Sequence, residues 1–209
     1  MKKSMKGFMM NSDFTRRNVL LGGAAGIAAL GLSPAFALSE GEARTLINKA
    51  VGDINRSINS GKTGAALYKD FEKIFLRYAD VPTIARSVLG PPARSASKAQ
   101  MNGFTKAFTS YLARKYGKRF RDFKGSEIEV TSARKVKSFQ EVRAVAKLRG
   151  QAPFQVSFMV SDRSGRDKFF DLLIEGISLL KAERAEVGAV LDKVGGNVDK
   201  LISQLNRMG

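Results

Sequence analysis

The chain has 209 residues, 36 Lys+Arg against 19 Asp+Glu for a net charge of +17, and no Cys, His or Trp. These absences exclude disulfide frameworks, thiolate chemistry, ordinary zinc sites and any Ser–His or Cys–His nucleophilic machinery. An apolar content of 44% is that of a globular protein rather than a disordered one.

The first element is an address. Lys2, Lys3, Lys6, Arg16 and Arg17 form a basic n-region, and an uncharged Gly/Ala-rich run follows from Val19 to Leu32. That run is shorter than the about 20 residues a membrane-spanning helix needs. Ala35-Phe36-Ala37 fits a small-x-small cleavage pattern, with cleavage between Ala37 and Leu38. Thr15-Arg16-Arg17-Asn18-Val19-Leu20-Leu21 resembles a twin-arginine export signal, with Val19 where Phe is preferred. Residues 1–37 are therefore expected to be a cleaved signal and 38–209 a single domain. The leader takes five Lys/Arg and one acid, so +13 of the +17 stays with residues 38–209.

Four helices follow. Ile47, Ala50, Ile54 and Ile58 recur at helical spacing within Glu40 to Asn59. Ser60-Gly61-Lys62-Thr63-Gly64 interrupts, and Leu67, Phe71, Ile74 and Tyr78 stripe a second helix. Asp80 caps a short third helix with Pro82 in its first turn, ending at Gly90-Pro91-Pro92. Ser97 with Gln100 is a capping box, opening a long helix striped by Met101, Phe104, Phe108, Tyr111 and Leu112.

The period then changes from helical to alternating. After Gly125, alternation places about four strands: a partial one over Glu127 to Lys137, then Val142/Ala144/Ala146/Leu148, Phe154/Val156/Phe158/Val160 and Phe170/Leu172/Ile174. A helix is expected from Ile177 to about Val194. Asn197 caps a last one carrying Val198, Leu201, Ile202 and Leu205. Helices, then an antiparallel sheet, then helices make the fold class α+β.

Candidate chemistry is sparse. Gly61-Lys62-Thr63 lacks the first glycine of a P-loop, Arg56 standing there, and follows a helix rather than a strand. No helix-turn-helix or RNP-like pattern accompanies the basic charge, which suits an anionic lipid surface or acidic partner better than nucleic acid. Arg184 occupies a stripe position between Leu180 and Val187, where a guanidinium fork could hold a phosphate. Asp80, Asp171 and Glu175 belong to no hydrolase motif. Eleven Phe and four Tyr in residues 38–209 fill a core or line a pocket; periodicity does not separate the two.

Three stretches together carry a family resemblance: Tyr78-Ala79-Asp80-Val81-Pro82-Thr83-Ile84-Ala85-Arg86-Ser87-Val88-Leu89-Gly90, Phe104-Thr105-Lys106-Ala107-Phe108-Thr109-Ser110-Tyr111-Leu112-Ala113-Arg114-Lys115-Tyr116, and Asp171-Leu172-Leu173-Ile174-Glu175-Gly176-Ile177-Ser178-Leu179. In this order and spacing they resemble the MlaC family of periplasmic phospholipid-binding proteins, the toluene-tolerance auxiliary family. The resemblance implies a curved antiparallel sheet packed by helices around an apolar lipid cavity, and a monomeric carrier rather than an enzyme. It implies no cofactor, no catalytic residue and no metal, with a bound phospholipid as cargo. It implies shuttling across the periplasm between an outer-membrane lipoprotein–porin complex and an inner-membrane ABC transporter with its ring-forming lipid-binding subunit. A related branch suggests a hopanoid as another cargo, and a ligand-free basic adaptor is the competing reading. The family's usual leader is a general secretory one, and a Trp often precedes its last strand's Tyr-Asp, where Lys168-Phe169-Phe170 stands here.

Alternation and resemblance together imply a lipid-binding lining. On the sheet it comprises Val142, Ala144, Ala146, Phe154, Val156, Phe158, Val160, Phe170, Leu172 and Ile174. The helices contribute Ile84, Val88, Phe104, Phe108 and Tyr111. Arg86 and Arg184 are the headgroup candidates.

Overall fold

A computed structural model describes residues 38–121, 125 and 127–209. The export signal expected over 1–37 lies outside the described residues. Those described fall in one unit, Phe36–Gly209.

Among the described residues, six α-helices form where the sequence places caps and stripes. α1 (Glu40–Asn59) starts at a reciprocal capping box: the Ser39 hydroxyl accepts from Glu42 N–H at 3.2 Å, and Ser39 N–H donates to the Glu42 carboxylate at 2.9 Å. α2 (Gly64–Tyr78) leads directly to α3 (Val81–Leu89), where the Asp80 carboxylate accepts from Thr83 N–H at 3.3 Å. Gly90, at φ 71°, ends α3, and a 3₁₀ turn over Pro91–Arg94 follows. α4 (Lys98–Arg121) opens on the Ser97/Gln100 box. α5 (Leu179–Lys193) and α6 (Val198–Arg207) close the chain, capped by Ser178 and Asn197.

Between α4 and α5 runs an antiparallel sheet in the order of the chain: β1 (Glu127–Val136), β2 (Phe139–Lys147), β3 (Phe154–Ser161), β4 (Lys168–Ile174) and β5 (Ile177–Ser178). The sheet is not closed. β5 is a strand the alternation does not show, and it corrects the expected helix start at Ile177. Glu175 and Gly176, at φ 48° and 78°, reverse the chain in a two-residue turn, so Ile177 pairs with Ile174 and the helix begins two residues later.

A bulge makes the second correction. Val160 pairs with Phe169 and Met159 with Asp171, which leaves Phe170 as the extra residue of β4. One inserted residue reverses the in/out parity, so Phe169 rather than Phe170 shares the inner face with Leu172 and Ile174. The Phe169 ring accordingly meets Phe158 edge-on at 5.8 Å and Phe75 at 6.1 Å. Asp80 N–H donates to the Phe169 carbonyl at 2.8 Å, tying the α2–α3 junction to the bulged strand.

The apolar residues divide into three clusters. α1 packs on the sheet, with Ile47 and Val51 in one cluster with Val142, Ala144 and Val160. α3, α4, α5 and α6 pack around Val88, Phe104, Phe108, Tyr111, Val187, Leu201 and Leu205. Ile58, Leu67, Phe71 and Ala113 join α1, α2 and α4. The space that these clusters leave between them is the candidate site.

Candidate functional site

That space is a cavity of about 640 Å³, within the 300–1,000 Å³ range of ligand pockets. Ala50 and Ile54 of α1, Phe71, Ile74 and Phe75 of α2, and Leu112, Ala113 and Tyr116 of α4 form its helical walls. The sheet supplies Ile128, Ala146, Leu148, Phe154, Val156, Phe158, Phe169, Leu172 and Ile174, and Gln151, Glu175 and Leu179 complete the lining. Nearly every lining side chain is aliphatic or aromatic. Gln151, Ile174 and Glu175 are the exposed members, which puts the opening at the end of the sheet where the β2–β3 and β4–β5 turns lie.

Of the residues expected to bind lipid, six stand on this lining: Ala146, Phe154, Val156, Phe158, Leu172 and Ile174. Val142, Ala144 and Val160 belong to the same cluster of α1 and the sheet but are not on the lining. Ile84, Val88, Phe104, Phe108 and Tyr111 sit in the cluster behind the helical wall, with the Phe104 and Phe108 rings stacked 5.7 Å apart. Phe170, displaced by the bulge, meets Phe139 edge-on at 5.5 Å and does not line the cavity.

The two candidate headgroup arginines flank the end of α3, away from the lining. Arg86 donates to the Ala93 carbonyl at 3.5 Å. The Arg184 guanidinium lies beside Gly90, where a Cβ would stand 3.3 Å from it. Both are exposed.

The polar residue buried on α5 is Glu183, one position before Arg184, and it is 2% exposed. Its Oε1 accepts from Lys115 Nζ at 2.7 Å and from the Tyr116 hydroxyl at 2.5 Å. Lys115 also bonds Glu186 and donates to the Tyr111 hydroxyl at 2.9 Å, and that hydroxyl donates to Glu186 at 2.6 Å. Burial, then the hydrogen bond to Glu186, pushes the Tyr111 phenol far above its ordinary range, so it stays protonated. Tyr116 belongs to both structures: its ring lines the cavity and its hydroxyl closes the network behind it. Sequence pattern does not reveal this, because Lys115 and Glu183 read as ordinary surface charges until α4 and α5 are packed together.

No group of His, Cys, Asp or Glu among the described residues could hold a metal ion. No helix among them is long and apolar enough to cross a membrane. The arrangement offers apolar enclosure and an opening.

Comparison with solved structures finds the same fold in the phospholipid-binding protein from Ralstonia solanacearum, a structure in complex with a phospholipid. The TM-score is 0.68 at 19% identity, over 79% of this chain and 95% of that one. A family model described as MlaC protein matches residues 44–207. That match spans every helix and strand from early α1 to the end of α6, and the chain belongs to the MlaC family.

Proposed function

We propose that this protein is a periplasmic phospholipid carrier, a binding protein and not an enzyme. It is exported by residues 1–37, encloses acyl chains in the cavity, and moves lipid between the outer membrane and an inner-membrane ABC transporter. The observation that carries this reading is the apolar cavity of about 640 Å³ with its opening at one end of the sheet. Membership of the MlaC family and the phospholipid in the Ralstonia structure support it.

The physical case rests on transfer cost. A two-chain lipid has roughly 30 methylene groups, and at about 0.8 kcal/mol each their exposure to water costs more than ~20 kcal/mol. A carrier must therefore surround the chains, and aliphatic and aromatic walls do so without leaving polar groups unpaired. The same cost forbids release into water. Transfer then happens while the carrier is docked, with the opening against its donor or acceptor. The headgroup stays outside near Gln151 and Glu175, so chain fit governs binding more than headgroup chemistry.

The test is to express the full chain in a Gram-negative host and purify the periplasmic product without detergent. Native mass spectrometry and organic extraction follow. The expected result is a discrete added mass matched by a phospholipid in the extract. A bare polypeptide that also takes up no lipid from vesicles refutes the carrier reading.

A further inference from the structure

The cavity does not end at its opening; it continues as an exposed apolar lip. Ile174 lines the cavity and is 36% exposed, and its cross-strand partner Ile177 is 71% exposed. Directly paired residues on neighbouring strands project from the same face of a sheet, so Ile177 extends the cavity side of the sheet beyond its edge. The Glu175–Gly176 turn, with both residues at positive φ, fixes the pair at the tip of a tight hairpin. Immediately after it, Leu179 returns to the lining. A large side chain on a tight turn, mostly in water and contiguous with an apolar cavity, is not explained by folding, because folding leaves it exposed.

Charge identifies what covers it. Residues 38–209 carry +13, from which an attraction to anionic surfaces follows. Lys181, in the first turn of α5 and four residues after Ile177, is exposed. A lipid bilayer with anionic headgroups supplies both complements at once, an apolar interior for Ile177 and negative charge for Lys181 and the basic chain that carries it.

We propose that the Ile174–Ile177 hairpin docks directly on an anionic bilayer surface and brings the cavity opening to it. This rests on the carrier reading for its purpose but not for its measurement. The experiment is co-sedimentation of the protein, purified after expression of the full chain, with vesicles of phosphatidylcholine alone or with about a third phosphatidylglycerol. Lipid content is measured on the same samples. The expected result is binding to the anionic vesicles that weakens as salt rises from about 0.05 to 0.5 M. Ile177→Asp is expected to weaken that binding about tenfold, and Ile177→Ser somewhat less, as loss of one inserted apolar side chain requires.

Both variants should keep the wild-type melting temperature, since Ile177 is exposed. Wild-type protein that ignores protein-free anionic vesicles overturns the proposal and assigns the lip to a protein partner. Equal binding by wild type and both variants overturns it as well, leaving a diffuse basic surface. If vesicle binding depends on Ile177 but the protein carries no lipid, docking stands and the carrier reading falls. If lipid is carried and vesicles are ignored, only docking falls.

Discussion

The Tyr116 hydroxyl, on the far side of a ring that lines the cavity, donates to the buried carboxylate of Glu183 at 2.5 Å. Lys115 shares that carboxylate oxygen, at 2.7 Å, and stands between Glu183 and Glu186. The network thus fixes one wall of the cavity from behind. The Glu183 side chain is nearly inaccessible, and this lysine is the cation paired with it. Lys115→Met is expected to destabilise the fold by about 3 kcal/mol, since an unpaired buried carboxylate remains. The double variant Lys115→Met/Glu183→Leu should recover much of the loss. Urea midpoints of the single and double variants check this, and a double variant no more stable than Lys115→Met contradicts it.

Gly117 marks a close approach of α4 to α2. A Cβ there would stand 2.5 Å from Tyr68 Cδ1 and 3.6 Å from Phe71 Cδ2. In an open helix, Gly→Ala stabilises by about 1 kcal/mol. Here the ring must move, and the overpacking outweighs that gain. Gly117→Ala is expected to lower stability by about 1–2 kcal/mol. A rise in its melting temperature would show that Tyr68 repacks freely.

The order of elements was legible because each has a local cause. The Ser97/Gln100 box, the Asp80 and Asn197 caps and the alternation of β2 and β3 act within a few residues. What was not legible depends on packing partners. Val142, Ala144 and Ala146 look alike in sequence and share one cluster, yet of the three Ala146 lines the cavity. Phe170 follows the alternation of β4, but the bulge hands its place to Phe169. The α5 stripe drew attention to Arg184, whereas the residue turned inward is Glu183, because Lys115 and Tyr116 of α4 stand ready to pair with it. Phe104, Phe108 and Tyr111 form a helical stripe, and the stripe packs in the cluster of α3, α5 and α6 rather than on the cavity. Periodicity names a buried face, not what it faces.

Glu141 gives the fold an acid-sensitive joint. Burial raises its pKa, but hydrogen bonds from Arg134, Arg143 and Ser157 outweigh it and hold the carboxyl below the ordinary glutamate value of 4.5. A depressed folded pKa means that the unfolded chain binds the proton first as pH falls. The stabilisation is therefore complete well above pH 4.5 and is lost as pH drops through the folded value. Melting temperatures of wild type and Glu141→Gln across pH 7 to about 3 should differ most at neutral pH and converge in acid. A gap that does not narrow would mean that the ion pairs contribute nothing to stability.

Ala144 and Ala146 offer the sharpest test of the cavity, being two residues apart on one face of one strand. Ala144 is fully buried against α1, with no space beside it that lines the cavity. Ala146 is almost as buried but faces the cavity. A phenylalanine at 144 must displace packed atoms, an overpacking cost of about 1–3 kcal/mol or more. A phenylalanine at 146 enters space that is free when no lipid is bound, so it takes volume from the cargo instead of from the core. Ala144→Phe is expected to lower the melting temperature. Ala146→Phe should keep it near wild type while co-purified lipid falls several-fold or shifts to shorter chains. Native mass spectrometry beside thermal melts separates the two effects. If Ala146→Phe retained its full lipid complement, acyl chains would not occupy this cavity.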